Sequence, residues 1–201
     1  MLIKKNKLKT AFTKNRQTYG SWITLSDPLI PEIMSKAGFD WLCIDMEHSS
    51  IELKDILSLI ISIENNEMVP LVRVGENNAN LIKRVMDAGA YGIIVPNINS
   101  SDEAVEAVNA AKYPPVGKRS IGLYRAQGFG YNFNDYLHWL ENESVVIVQI
   151  EHIDTVKNID EIVNAADGIM IARGDLGVEM PTEQVPIAQK NIIRRCRHFG
   201  K

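Results

Sequence analysis

Short apolar runs alternate with longer amphipathic stretches along this chain, and most of the runs end in a polar cluster. Residues 21–25, 39–45, 69–74, 92–96, 145–151 and 168–172 are dense in Val, Ile, Leu and Trp, the pattern of strands buried on both faces. Between them, residues 28–38, 53–64, 79–88 and 101–111 carry apolar positions at helical spacing. Gly38 and Gly89 are placed to stop two of these helices, and Ser and Asp open the helix at 101. Further helices are predicted near 136–140, around 155–163 and over 182–199. Six βα units in succession predict a parallel sheet, either closed as a barrel or open and doubly wound. No Gly-x-Gly-x-x-Gly follows a strand, which argues against the dinucleotide-binding form.

The rhythm breaks between 113 and 136. Pro114, Pro115, Gly117, Gly122, Gly128 and Gly130 surround Lys118, Arg119 and Arg125. A long loop inside a compact domain is usually functional or disordered, and solvation is one reading of Arg125 there.

Composition narrows the function classes. The 201 residues are 45% hydrophobic and 23% charged, with a formal net charge of −3. No basic field exists to hold nucleic acid, and no run is long enough for a bilayer. Cys43 and Cys196 are isolated and read as buried thiols of a reducing cytoplasm. Residues 1–19 are a polar, lysine-rich arm or helix, expected to be solvated, ahead of one domain that fills the rest of residues 1–201.

The strand ends carry the candidate chemistry. Glu151 and Asp175 follow the fifth and sixth strands, where α/β enzymes place reactive groups. They could share one hard divalent ion, Mg²⁺ or Mn²⁺, or serve only as helix caps and ion-pair partners. Backbone amides at Gly174 and Asp175, in a Gly-Asp-Leu-Gly turn, can hold a carboxylate, although a tight turn alone explains the glycines. His48 lies three residues after Asp45, so it is either a tunable base oriented by a carboxylate or a plain surface histidine. Arg73 closes the third strand and needs an anion, from substrate or from the protein. Gln149 shares a face with Glu151. Trp22, Trp41 and Trp139 read as packing residues.

Together these pieces resemble the HpcH/HpaI aldolase family of class II pyruvate aldolases. The likeness runs from Gly20 to Gly168, through Gly38-Phe39-Asp40-Trp41, Ile44-Asp45-Met46-Glu47-His48, Leu71-Val72-Arg73-Val74, Asp87-Ala88-Gly89-Ala90, Tyr113-Pro114-Pro115-Val116-Gly117-Lys118-Arg119 and Val148-Gln149-Ile150-Glu151. The resemblance implies a (β/α)₈ TIM barrel in trimers or hexamers. Such a barrel takes about 250 residues, so the chain is expected to stop after its sixth βα unit and to expose two strand edges. It implies reversible cleavage of a 4-hydroxy-2-oxo acid to pyruvate and an aldehyde. His48 would be the base with Asp45 as its partner, and Arg73 would lie near the keto acid. Glu151 and Asp175 would bind Mg²⁺ or Mn²⁺, with Co²⁺ also admissible, and Glu47 and Gln149 would surround them. Ile169-Met170-Ile171-Ala172-Arg173-Gly174-Asp175-Leu176-Gly177 resembles pyruvate kinase instead, which also binds pyruvate and a metal at that place. The kinase carries Lys where this chain has Gln149, so a kinase relative is the weaker reading. A non-catalytic binding fragment is the third.

Overall fold

The computed structural model describes residues 4–201; residues 1–3 of the expected N-terminal arm lie outside them. Helix α1 (Lys7–Thr13) comes first, followed by β1 (Gly20–Ile23), α2 (Leu29–Ser35), β2 (Trp41–Asp45), α3 (Leu53–Asn65) and β3 (Val69–Arg73). Then come α4 (Ala79–Ala88), β4 (Gly92–Val95), α5 (Ser101–Ala111), α6 (Phe133–Asn142) and β5 (Val145–Ile150). The chain finishes with α7 (Ile153–Lys157), α8 (Ile159–Ala165), β6 (Gly168–Ile171), α9 (Arg173–Glu179) and α10 (Val185–His198).

The six strands form one parallel sheet in sequence order, β1 to β6. Neighbouring strands follow each other in the chain because each crossover helix returns directly beside its own strand. Among the described residues β1 pairs only with β2 and β6 only with β5, so the sheet is an open, curled layer of six strands and not a closed ring of eight.

The helices explain their own limits. Asn78 caps α4 by accepting from the Asn80 and Leu81 amides, and Gly89 ends it in a left-handed turn at φ 108°. Gly89 also faces the Arg125 guanidinium, which occupies the space a Cβ would need. Ser100 caps α5, whose buried face is Ala104, Ala107, Ala110 and Ala111. Those small side chains let α5 pack between α4 and α8. Ile56, Leu59, Ile60 and Ile63 of α3 join Leu42, Ile44, Val72, Ile93 and Val148 of the sheet in the main core.

Four features differ from the sequence expectation. Helix α1 is not simply solvated: Leu8 and Ala11 are buried. Asn6, fully buried, donates to the carbonyls of Tyr91 and Glu143, while Lys9 pairs with Asp167 at 2.5 Å. These partners precede β4, β5 and β6, so α1 lies across the N-terminal end of the sheet. The helix predicted around 155–163 breaks at Asn158 into α7 and α8. The Gly-Asp-Leu-Gly segment is helical, within α9, and not a turn. Arg125 is not solvated; it pairs with Glu64 and donates to the Ala88 carbonyl at 3.2 Å.

The loop between α5 and α6 is therefore pinned from beneath. Arg119 is buried, pairs with Asp87 at 2.5 Å and donates to the Tyr136 hydroxyl at 3.1 Å. Its guanidinium lies 4.6 Å from the centre of the Tyr113 ring.

Candidate active site at the C-terminal strand ends

Asp45 and Arg73 occupy matching positions at the ends of β2 and β3. Cross-strand partners in a parallel pair share a face, so the two side chains meet directly. Arg73 Nε donates to Asp45 Oδ1 at 2.9 Å and Nη2 to Oδ2 at 2.6 Å, a two-pronged contact. Asp45 Oδ1 also accepts from the amides of Glu47 and His48 at 3.0 and 3.2 Å. Burial alone would raise the Asp45 carboxyl, but the Arg73 and backbone hydrogen bonds carry it below its ordinary value. Burial likewise opposes the Arg73 charge, and Asp45 more than restores it.

The third nitrogen of Arg73 points along the strand ends. Nη1 lies 3.4 Å from Gln149 Oε1 and 3.0 Å from Glu47 Oε2. The Glu47 contact lacks hydrogen-bond geometry, which leaves that buried oxygen without a donor. Burial is the main reason that the Glu47 carboxyl is raised, and the nearby Glu151 charge adds to it. Gln149 turns its amide the other way as well, donating from Nε2 to Glu151 Oε1 at 2.5 Å. Glu151 accepts a further bond from the Asn97 amide at 3.2 Å. The chain Asp45–Arg73–Gln149–Glu151 thus crosses from β2 to the end of β5. Over the guanidinium sits the Trp22 ring, 4.5 Å from its centroid.

His48 is close to this chain but outside it. Its side chain is 66% exposed, and Nε2 is 3.9 Å from Glu47 Oε1. Asp45 meets His48 through the backbone amide, so the ring's nearest carboxylate is Glu47 and not the Asp45 implied by the resemblance. Gly174 and Asp175 lie in the first turn of α9, both exposed. Ala172 gives α9 no side-chain cap, so the first-turn amides have no acceptor within the helix. No hydrogen bond or ion pair among the described residues ties the Asp175 side chain to Glu151. Sequence reasoning missed Trp22 as part of the site. The parity of β1 against β2 was the available signal, since Trp22 is level with Cys43 on the face that Asp45 uses.

The donor set fits a hard cation. Asp45 is committed to Arg73 and two amides, but Glu151 takes both its hydrogen bonds on Oε1, and Asp175 makes none with its side chain among the described residues. Oxygen ligands in this balance suit Mg²⁺ or Mn²⁺. Among the described residues no group of three or more His, Cys, Asp or Glu side chains closes around a single point, so water or substrate oxygens would have to complete a coordination shell.

A parallel α/β sheet with an arginine, an amide and carboxylates converging at the C-terminal ends of its strands has the form of an α/β enzyme's active site. Residues 18–198 match the HpcH/HpaI aldolase/citrate lyase family model, and the chain belongs to that family. The match includes the segment that resembles pyruvate kinase. The chain is 36% identical to 4-hydroxy-2-oxo-heptane-1,7-dioate aldolase of Escherichia coli, over 98% of this chain and 78% of that protein. It is 34% identical to 5-keto-4-deoxy-D-glucarate aldolase of Citrobacter koseri, over 98% and 79%. The crystal structure of an HpcH/HpaI aldolase/citrate lyase family protein from Burkholderia cenocepacia superposes with a TM-score of 0.90 at 30% identity, covering 97% of this chain and 82% of that one.

Proposed function

We propose that this chain is a divalent-metal-dependent aldolase that reversibly cleaves a 4-hydroxy-2-oxo acid to pyruvate and an aldehyde. The carrying observation is Arg73, fixed by Asp45 and presenting Nη1 toward Gln149, whose amide in turn holds the Glu151 carboxylate. Relatives named as aldolases of such acids, at 34–36% identity, support the same reaction.

Glu151 and Asp175 would hold the ion, Mg²⁺ or Mn²⁺ with Co²⁺ also admissible. When bound, it supplies Lewis-acid polarisation of the substrate 2-oxo group. Arg73 Nη1 binds an oxygen of the keto acid and stabilises the charge that develops there. Gln149 holds Nη1 and Glu151 in register, and the α9 amides at Gly174 and Asp175 receive the substrate carboxylate. His48, exposed at the rim, takes the proton of the 4-hydroxyl directly or through water as the carbon–carbon bond breaks, and returns one in the reverse direction. The open position of His48 suits the aldehyde end, which must enter and leave.

The reading sets these six βα units within (β/α)₈ architecture and expects a homo-oligomer, trimeric or hexameric, acting in the cytoplasm. Both cysteines are unpaired, as a reducing compartment requires. No helix among the described residues is long and apolar enough to cross a membrane. Gln149 weighs against a kinase: its amide accepts from Arg73 and donates to Glu151, and a lysine cannot accept.

Pyruvate release from a panel of 4-hydroxy-2-oxo acids, with Mg²⁺ or Mn²⁺ and after chelation, tests the proposal. Release that depends on the metal is expected. Failure to release pyruvate from every member would overturn it.

A further inference from the structure

We infer that Trp22 is a positioning residue for Arg73, holding the guanidinium by its face so that Nη1 stays free for an anionic substrate oxygen. The inference rests on the oxo-acid reading of the site and adds a residue that neither the strand-end motifs nor the resemblance assigned to it.

A guanidinium is a flat group with donors around its edge and none on its faces. In Arg73 the edge formed by Nε and Nη2 is committed to the two oxygens of Asp45. Nη1 has only a long 3.4 Å bond to Gln149 and the Glu47 contact that lacks hydrogen-bond geometry. It is the nitrogen that points away from Asp45, with both its protons short of a good acceptor. The Arg73 side chain is only 10% exposed; Asp45 compensates its charge along one edge, while the two flat faces give up their water without a donor to offer.

A further acceptor could hold the group more firmly only by occupying the donors a substrate needs. An aromatic ring avoids the conflict, because its negative face attracts the cation without taking a proton. Trp22 supplies such a ring, 4.5 Å from the guanidinium carbon. The sheet dictates the placement. Trp22 is level with Cys43, and Asp45, two residues on, is level with Arg73. All four lie on one face, and the indole is long enough to climb to the strand ends. The ring also blocks the guanidinium from swinging out of the Asp45 plane.

Oxalate, a planar dianion resembling the pyruvate enolate, is the probe, titrated calorimetrically into the Mn²⁺-loaded protein. Trp22→Leu is expected to weaken oxalate roughly 2- to 30-fold, the range of one cation–π contact. Trp22→Phe, which keeps an aromatic face, should recover most of the affinity. In an Arg73→Gln background Trp22→Leu should have little further effect, because the cation it faces is gone.

Equal loss from Trp22→Leu with and without Arg73, or no recovery by Trp22→Phe, would assign Trp22 a packing role only and overturn the inference. The Phe-against-Leu contrast decides by itself if Arg73→Gln does not fold. Failure of the wild type to bind oxalate would also overturn it. Pyruvate release is scored separately: the oxalate pattern without aldol cleavage removes the proposed reaction and leaves the anion site, and cleavage without the pattern does the reverse.

Discussion

Asp45 and Arg73 are register partners across β2 and β3 and are joined by two hydrogen bonds of 2.9 and 2.6 Å. With both side chains nearly buried, removal of either leaves the other's charge without its main partner. Asp45→Ala is therefore expected to cost roughly 3–5 kcal/mol in urea unfolding. It should also weaken oxalate, because Arg73 would turn toward Glu47. Wild-type stability in this variant would show that the pair contributes nothing to the fold.

His48 acts late in the site and touches little of the core. His48→Ala is expected to lower aldol cleavage by roughly 10²–10⁴-fold while unfolding midpoint and Mn²⁺ affinity stay near wild type. Unchanged cleavage would remove His48 from the mechanism.

Metal binding should be readable without turnover. A ligand present at about one hundred times its Kd stabilises the native state by roughly 2.7 kcal/mol, so Mn²⁺ should raise the wild-type Tm. Glu151→Gln and Asp175→Asn should each suppress that rise. A full Mn²⁺ response in Asp175→Asn would leave Asp175, an exposed residue of α9, outside the metal site.

Lys112 gives a pH signature. Its ammonium is buried and donates to the Leu140 carbonyl and the Ser144 hydroxyl, both at 2.6 Å. Burial pushes it down to about 8, from 10.5. Below pH 8 both folded and unfolded chains carry the proton, and the full cost of burying the charge is present. Between about 8 and 10.5 the unfolded chain binds more protons, so stability contributed by this residue rises with pH. Relative to Lys112→Met, the wild type should gain up to about 3 kcal/mol across that window. Parallel pH curves for the two proteins would refute the shift.

Arg119 holds the loop between α5 and α6 through Asp87 and Tyr136. Arg119→Met is expected to cost roughly 3–5 kcal/mol by leaving Asp87 short of its main partner. Hydrogen exchange should quicken at Ala126, whose amide donates to the Asp87 carbonyl at 3.0 Å. Unchanged exchange there would mean that the loop is held by its backbone alone.

Strands and crossover helices are legible in this sequence because burial on both faces forces continuous apolar runs, and caps such as Asn78 and Ser100 mark where helices begin. The strand-end residues are legible by the same logic, since position after an apolar run places them together. Other features are not written locally. Gly174 and Gly177 look like a turn, but Leu176 and Met180 reach a small core with Val185 and Ala188 that holds the segment helical. Arg125 looks solvated until Glu64, 61 residues earlier, is seen beside it. The partner of a histidine ring is equally hidden, because Asp45 spends its oxygens on Arg73 and on amides.

The placement of α1 has a consequence for the order of assembly. The anchors of the helix and its cap, the Tyr91 carbonyl, Glu143 and Asp167, are made long after it. Contacts of such sequence separation are slow to form. This helix is therefore made before the strands it rests against, and stays unseated until they stand side by side. During that wait Leu8 and Ala11 stay wet, and a chaperone that recognises short apolar helices has its opening.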